Sequence, residues 1–165
     1  MAVDLPAVSA GARPGTAASA AAGQAASGAG PSDAAADAVD RAALDRWVHE
    51  LEAYFRGERL TWSPRELALD ELTPGSFDRA VYSALLSVPP AVTVSYGVLA
   101  EMAGYPRAAR AVGNAMATNP IPVVIPCHRV VRSDGSLGNY GDDPAWKERL
   151  LAHERDHAGA YTGKR

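Results

Sequence analysis

The sequence predicts a mainly α-helical fold with a small β component. Three observations support this class. From residue 39 onward, apolar residues recur mostly at spacings of three and four, as on one face of a helix. Proline and glycine divide this pattern into short segments. One short apolar run, I-P-V-V-I-P at 121–126, is held by prolines and is expected to be extended, buried and stiff. At 165 residues the chain has the size of about one domain.

Residues 1–38 differ from the rest of the chain in composition. They consist almost entirely of Ala, Gly, Ser, Pro and Asp, without an aromatic residue, and their only large aliphatic residues are Val3, Leu5 and Val8. Such a segment cannot bury enough apolar surface to offset the entropy lost on ordering. We therefore predict a disordered tail, of which the Ala-rich stretch 34–38 can extend a following helix backwards.

Two helices are predicted in the next fifty residues. The first runs from Asp40 to Arg56, ends at Gly57 and presents Leu44, Trp47, Val48, Leu51, Tyr54 and Phe55 on its apolar face. Residues 58–75 form an extended connector. The second helix covers 76–88, with Ser76 as its N-cap and with Phe77, Val81, Leu85 and Leu86 facing inward.

Residues 94–120 predict a pair of short helices joined by a turn. Ser95 can cap a helix whose apolar positions are Val98, Leu99 and Met102, and Gly104 ends it. The following helix, at about 107–118, consists mostly of Ala and Gly, and Arg110 projects from its smooth surface. This arrangement is typical of a helix-turn-helix, although an ordinary αα-hairpin has the same pattern. A helix with such small side chains can lie close to another helix or to a DNA groove.

The C-terminal third predicts a polar turn, a pliable loop and a last helix. The turn is R-S-D-G at 132–135 and the loop is L-G-N-Y-G at 137–141. The last helix runs from about Pro144 to Glu154. Its predicted inward residues are Trp146, Leu150 and Leu151, and its predicted outward or lateral residues are Lys147, Glu148 and Arg149.

Composition and charge exclude some classes of protein. The net charge of −3 argues against a wholly basic DNA-coating protein, yet residues 91–132 hold four arginines and one glutamate, which could meet a polyanion. No apolar run approaches the roughly 20 residues that span a bilayer, and the N-terminus does not resemble a signal peptide. A single cysteine cannot form an internal disulfide or a four-thiolate zinc site. A reducing cytoplasm is the simplest setting.

That single cysteine lies in the stretch V-I-P-C-H-R-V-V at 124–131. A cysteine thiolate is a nucleophile, and a neighbouring base or positive charge increases its population. His128 and Arg129 follow Cys127 directly, and Pro126 can hold the loop rigid. A free cysteine is also often a buried, inert hydrophobe. The motif alone therefore fits both a core thiol and a reactive one.

The sequence resembles the methylated-DNA–protein-cysteine methyltransferases, or O6-alkylguanine-DNA alkyltransferases. The motif I-P-C-H-R-V-V at 125–131 is similar to the active-site signature of this family. Further similar motifs follow the family order over residues 73–154: T-P-G-S-F-D-R-A-V-Y-S-A-L, T-V-S-Y-G-V-L-A, R-A-A-R-A-V-G-N-A-M-A-T-N-P-I-P, G-N-Y and K-E-R-L-L-A-H-E.

The resemblance implies a function and a division into domains. It implies that residues 73–156 form a helix-turn-helix, winged-helix-like domain that binds DNA and accepts the alkyl group. Residues 39–72 would then be a remnant of the family's N-terminal domain, whose sheet is reduced or absent here, and residues 157–165 a flexible C-terminus. The implied reaction is a single, irreversible transfer of an alkyl group from O6-alkylguanine, or O4-alkylthymine, to the protein's own cysteine.

The resemblance also implies roles for individual residues. Cys127 would be the acceptor, His128 its base through a water molecule, Glu154 the group that orients His128, and Arg129 a buried structural residue. Asn119 would link the recognition helix to the active-site strand, and Tyr96 would crowd the 3′ phosphate and donate to guanine N3. Arg110 would be the finger that replaces the flipped base. Three small residues would contact the minor groove, namely Ala109, Ala111 and Gly113. Four residues would surround the flipped base, namely Val130, Tyr140, Gly141 and Lys147.

The implied partner is double-stranded DNA that contains alkylated guanine, bound by a monomer without a metal or organic cofactor. Two features depart from the family: the Ala/Gly-rich segment in place of the N-terminal sheet, and Asp142-Asp143 after the loop. The two carboxylates would repel phosphate or point away and cap the last helix. Two other hypotheses remain, namely a non-catalytic protein that senses alkylated DNA and a general cysteine hydrolase. The hydrolase hypothesis leaves the helix-turn-helix unexplained.

Overall fold

The computed structural model describes residues 31–161, apart from Pro74, Asn139 and Asp142. The prediction of a disordered tail therefore falls largely outside the described residues. Contacts group the described residues from Val39 onward into one unit. The described helices are α1 (Pro31–Phe55), α2 (Leu69–Leu72), α3 (Ser76–Leu86), α4 (Tyr96–Met102), α5 (Ala109–Ala117) and α6 (Pro144–Tyr161).

The described sheet is small. Strands β1 (Val94–Ser95) and β2 (Val130–Val131) pair in parallel, with Val94 opposite Val130 and Ser95 opposite Val131. A 3₁₀ turn, Cys127–Arg129, leads directly into β2. The predicted class, mainly α with a small β component, is confirmed. Through β1 and β2, the start of the helix-turn-helix lies beside the cysteine motif.

Helix α1 ends as predicted but packs differently. Gly57 has a φ of 73°, and its N–H donates to the Tyr54 carbonyl, which closes the helix. The helix begins at Pro31 instead of Asp40. Tyr54 is fully buried, whereas three residues of the predicted apolar face are exposed: Leu44 (63%), Val48 (46%) and Phe55 (48%). That part of the prediction is wrong, because α1 packs on the core along a neighbouring stripe that carries Trp47, Leu51 and Tyr54.

The predicted extended connector, residues 58–75, contains more structure than its sequence suggested. Leu60, Trp62, Leu67 and Leu69 are buried in the core, and the last of these begins α2. A four-residue helix is too short for a recognisable apolar period. The connector is therefore part of the core and not a linker.

Helices α3, α4 and α5 pack against one another and carry most of the remaining core. The Ser95 hydroxyl accepts a hydrogen bond from Val98 N at 3.2 Å, so the predicted cap of α4 is confirmed. The predicted cap at Ser76 is wrong, because Gly75 occupies the N-cap position and Ser76 is already helical. Val98 and Met102 are each 46% exposed, and α4 instead buries Leu99 and Ala100. Helices α4 and α5, joined by the turn at 103–108, form the predicted helix-turn-helix.

The two segments that enclose the motif differ from the prediction. Residues 121–126 form a turn, with Val123 at a φ of 75° and a bridge between Pro122 and Ile125, so the predicted extended run is wrong. Helix α6 continues past Glu154 to Tyr161. It buries a stripe at spacings of three and four that includes two charged side chains: Lys147, Leu150, Leu151 and Glu154.

Candidate active site

Cys127 is the first residue of the 3₁₀ turn, and its side chain is 7% exposed. Two side chains hydrogen-bond its sulfur: Asn119 Nδ2 donates at 3.0 Å, and the Tyr140 hydroxyl is the other donor. Burial raises the pKa of the thiol, and these hydrogen bonds oppose that rise because they favour the thiolate. The site therefore holds a buried thiol beside two hydrogen-bond donors that can stabilise its thiolate form.

Asn119 connects the end of α5 to the cysteine segment. Besides the bond to sulfur, its Nδ2 donates to the Ile125 carbonyl at 2.8 Å, and its Oδ1 accepts from Ile121 N at 3.1 Å. One amide thus fixes the turn at 121–125 and the thiol together. Only the family resemblance predicted this bridging position for Asn119.

We expect Asn119→Ala to raise the pKa of Cys127 further and to lower the free energy of unfolding by about 1–3 kcal/mol. The reason is that a donor to sulfur is lost and two backbone groups lose their partner. The rate of Cys127 alkylation by iodoacetamide, followed against pH, should have its midpoint at higher pH than in the wild type. Asn114→Ala, at an exposed position of α5, is the matched control. An unchanged midpoint in Asn119→Ala would contradict this role.

Behind the thiol lies a fully buried cluster of His128, Arg129 and Glu154. His128 Nε2 lies 2.8 Å from Glu154 Oε1, and Arg129 donates through Nε and Nη2 to the same carboxylate at 2.8–3.1 Å. Arg129 also donates to the carbonyls of Val88 (2.6 Å) and Leu60 (2.7 Å). Arg129 thereby anchors the motif to two distant segments of the core.

The carboxylate determines the tautomer of His128. Burial disfavours the charged carboxylate, but the hydrogen bonds from His128 and Arg129 outweigh this and lower the pKa of Glu154 to about 2. An ionised carboxylate only accepts, so His128 Nε2 must donate to it. Burial also lowers the pKa of His128, which keeps the ring neutral at pH 7. Nδ1 is then the basic nitrogen, and it is buried without a partner among the described residues.

Two further hydrogen-bond donors to Glu154 come from residues that the sequence analysis did not predict. The Tyr54 hydroxyl on α1 donates to Oε1 at 3.2 Å, and the Ala91 N–H donates to Oε2 at 2.9 Å. Ala91 has a φ of 61°, an unusual conformation for a residue with a Cβ. In the local sequence, only the preceding Pro89-Pro90 pair indicated an unusual backbone conformation here.

Lys147 and Val130, which are predicted to lie around the base, are buried and are absent from the lining of the cavity over Cys127. Lys147 is 1% exposed and donates from Nζ to the carbonyls of Val130 and Leu137. The prediction that it lies outward or laterally on α6 is wrong, because these two carbonyls satisfy its ammonium group inside the protein. Lys147 therefore supports the strand after the cysteine and the loop before Tyr140.

A cavity of about 620 Å³ opens over Cys127. Its walls come from α4, from α5 and from the loop around 138–141. Besides Cys127, five predicted site residues lie in this lining: Tyr96, Gly113, Asn119, Tyr140 and Gly141. The other lining residues are Met116, Ala117, Pro122, Arg132 and Gly138. A larger cavity of about 840 Å³ lies beside Arg59 and Trp62 and does not include the thiol.

Helix α5 presents a smooth outer surface next to this cavity. Ala111 is exposed, Ala109 and Gly113 are partly exposed, and a Cβ added at Gly113 would meet nothing within 4 Å. Arg110 is exposed and makes no hydrogen bond or ion pair with the residues that the structure describes. After the loop, Asp143 Oδ1 accepts from Ala145 N at 2.9 Å and so caps α6, which is one of the two expectations for Asp142-Asp143. Asp142 itself lies outside the described residues.

Two other kinds of feature are absent from the described part of the chain. No cluster of three or more His, Cys, Asp or Glu side chains there could hold a metal ion. Within the same residues, no helix has the length and apolar character to cross a membrane.

Fold and site together define a helix-turn-helix domain with a thiol, an imidazole and a carboxylate behind its second helix. The model of the 6-O-methylguanine DNA methyltransferase DNA-binding domain matches residues 76–156. The mouse methylated-DNA–protein-cysteine methyltransferase is 51% identical over 118 residues, which are 69% of this chain and 56% of the mouse protein. The Mycobacterium tuberculosis H37Rv protein of the same name is 43% identical over 121 residues, which are 73% of this chain and 71% of that protein.

The chain belongs to the methylated-DNA–protein-cysteine methyltransferase family. Among solved structures, the crystal structure of Mycobacterium tuberculosis OGT in complex with DNA superposes with a TM-score of 0.57 at 37% identity, covering 67% of this chain and 66% of that one. The chain spans 56% of the mouse relative and 66% of the relative from Mycolicibacterium paratuberculosis, and thus half to two thirds of their length.

Proposed function

We propose that this protein repairs DNA by transferring the alkyl group of O6-alkylguanine, or of O4-alkylthymine, to its own Cys127. The observation that carries the proposal is the position of the thiol in the lining of a cavity that adjoins the bare outer surface of α5. A lesion can reach the sulfur only through that cavity, because Cys127 is otherwise buried. The acceptor and the proposed DNA-binding helix are therefore parts of one site.

We propose that α5 enters the minor groove of duplex DNA. Its small residues at 109, 111 and 113 permit a close approach, and minor-groove binding with a wedged side chain unstacks the duplex. Arg110, which has no partner among the described residues, would fill the space left by the extruded nucleotide. Extrusion costs a few kcal/mol, which stacking of the finger and contacts in the cavity offset in part.

Tyr96 would act at the entrance of the cavity. It lies partly exposed in the lining, and burial raises the pKa of its phenol, so the hydroxyl stays protonated and can donate. We propose that it crowds the 3′ phosphate during extrusion and donates to guanine N3. The geometry fits a donor that points into the same space as the thiol.

The proposed reaction is a displacement at the alkyl carbon. The Cys127 sulfur forms the new C–S bond while the C–O6 bond breaks, and that electron pair passes to the guanine. The thiol proton would move through a water molecule to His128 Nδ1, and a proton returns to the guanine to give the neutral base. The cluster supports this assignment, because Glu154 fixes Nδ1 as the basic nitrogen.

The product is a thioether, which is a poor leaving group, so each molecule reacts once. Nothing in these steps calls for a metal or an organic cofactor. A free thiol nucleophile suits a reducing compartment, and we propose a cytoplasmic monomer.

Intact-mass analysis after incubation with a duplex oligonucleotide containing O6-methylguanine tests the proposal. We expect the wild type to gain the mass of one methyl group in place of a proton, at one equivalent per protein. Cys127→Ser should gain none while still binding the duplex. Tight lesion binding without any gain in mass by the wild type would instead support the non-catalytic sensor.

A further inference from the structure

Arg132 lies on the rim of the Cys127 cavity and has no role in the mechanism above. It directly follows β2, so the strand that begins at the 3₁₀ turn fixes its backbone, which also pairs with Ser136 and Gly135. Its side chain is exposed, yet it contributes to the same lining as Tyr96 and Cys127. A cation is thus held where the cavity meets solvent.

The guanidinium of Arg132 is not satisfied within the protein. It makes no hydrogen bond or ion pair with any residue described between 31 and 161. The nearest acidic neighbour along the chain, Asp134, instead accepts from Ser136 N at 2.9 Å. By contrast, all three guanidinium nitrogens of Arg129, in the preceding motif, donate to carbonyl or carboxylate oxygens. Arg132 therefore keeps donors available for a ligand.

Arg132 and Tyr96 converge over Gly138. A Cβ placed on Gly138 would lie 3.5 Å from the Tyr96 hydroxyl and 3.7 Å from both Cγ and Nε of Arg132. Gly138 has a φ of 68°, which other residues rarely adopt. A neutral hydroxyl donor and a guanidinium therefore flank one glycine at the rim. Such a pair matches an anion with several acceptor oxygens.

We propose that Arg132 binds a phosphodiester group of the strand whose nucleotide occupies the Cys127 cavity. The inference rests on the proposed function, because only a base inside this cavity brings its own backbone phosphates to the rim. A guanidinium presents paired N–H donors that match two phosphate oxygens, and the neighbouring Tyr96 hydroxyl stays available for guanine N3. Arg132 is then a positioning residue that favours a lesion in a DNA strand over a free base.

The test compares Arg132→Gln, Arg132→Lys and the control Arg65→Gln, which removes an exposed arginine outside the cavity lining. The second-order rate constant of transfer is measured with duplex O6-methylguanine DNA and with free O6-benzylguanine. We expect Arg132→Gln to slow transfer from duplex DNA on the order of tenfold, relative to Arg65→Gln, and to leave the free base within about twofold. Arg132→Lys should recover part of the loss.

Salt dependence supplies a second readout. The slope of log K against log salt for duplex binding should become shallower by about 0.9 in Arg132→Gln, as expected for one lost phosphate contact. Equal slowing with both substrates would assign Arg132 to cavity shape and overturn the proposal, as would an unchanged slope. Absence of methyl transfer by the wild type would instead contradict the proposed function, so the two failures are distinguishable.

Discussion

Glu154→Ala is expected to lower the free energy of unfolding by about 3–5 kcal/mol and to abolish alkyl transfer. The fully buried Glu154 carboxylate is the only anion that the described structure places against Arg129. Removing it would leave a buried guanidinium uncompensated, and Tyr54 and Ala91 would lose their acceptor. His128 would also lose the group that fixes its tautomer. Urea unfolding and the intact-mass assay measure the two effects.

The stability that Glu154 contributes should depend on pH. Its pKa is lowered to about 2 in the folded protein, from an ordinary value of 4.5. A carboxyl whose pKa falls on folding contributes its full stabilisation above the unfolded value and loses it as the pH falls through the folded value. The difference in stability between wild type and Glu154→Ala should therefore be constant above about pH 5 and shrink between about pH 4.5 and 2.

Two controls separate the buried charge from a general effect of substitution in α6. Glu148→Ala, at an exposed position of the same helix, should change stability by less than about 0.5 kcal/mol. Combining Glu154→Leu with Arg129→Met should cost less than the sum of the two single changes, because it removes both charges together. Additive losses in that double-mutant cycle would show that the ion pair is not the source of the effect.

Local signals predicted the elements that depend on neighbours in the chain. Gly57 ends α1 with a positive φ, and Ser95 caps α4, because both effects need only the few residues around them. The cysteine motif was equally visible, but its residues alone fitted an inert thiol as well as a reactive one. The family resemblance, carried by motifs across residues 73–154, gave Cys127 its predicted role.

The local sequence pattern could not predict contacts between side chains that lie far apart in the chain. Tyr54 meets Glu154 across 100 positions, and Ala91 meets it across 63. The outward or lateral placement of Lys147 failed for the same reason, since hydrophobic periodicity treats a charge as a surface residue. A buried charge requires partners that come from other segments, here the carbonyls of Val130 and Leu137.

The exposed apolar face of α1 shows the opposite error. Periodicity correctly predicted a helix that carries Leu44, Val48 and Phe55 on one side, and it wrongly assumed that a core lies opposite all of them. Whether a face is covered depends on which other elements pack against it, and here they cover Trp47, Leu51 and Tyr54 instead. That property belongs to the assembled fold and not to the helix.

Arg110→Ala is expected to slow transfer from duplex DNA by roughly thirtyfold to a hundredfold and to leave the reaction with free O6-benzylguanine within about twofold. The exposed Arg110 touches neither the thiol nor the buried cluster, so the chemistry at Cys127 should be unaffected. If its side chain fills the gap left by an extruded nucleotide, its loss removes about 2–3 kcal/mol of the stabilisation that offsets the cost of extrusion. Single-turnover rates on the two substrates measure the difference.

The opposite strand offers a sharper test of that role. Placing an abasic site opposite O6-methylguanine removes the pairing partner and lowers the cost of extrusion. The defect of Arg110→Ala should then shrink to a few-fold, whereas a lost phosphate contact would keep its full effect because the backbone is unchanged. Arg155→Ala, which removes an exposed charge from α6, should behave as the wild type on all three substrates. Equal losses on duplex DNA and free base would exclude Arg110 as the finger, because only the duplex has a base stack to fill.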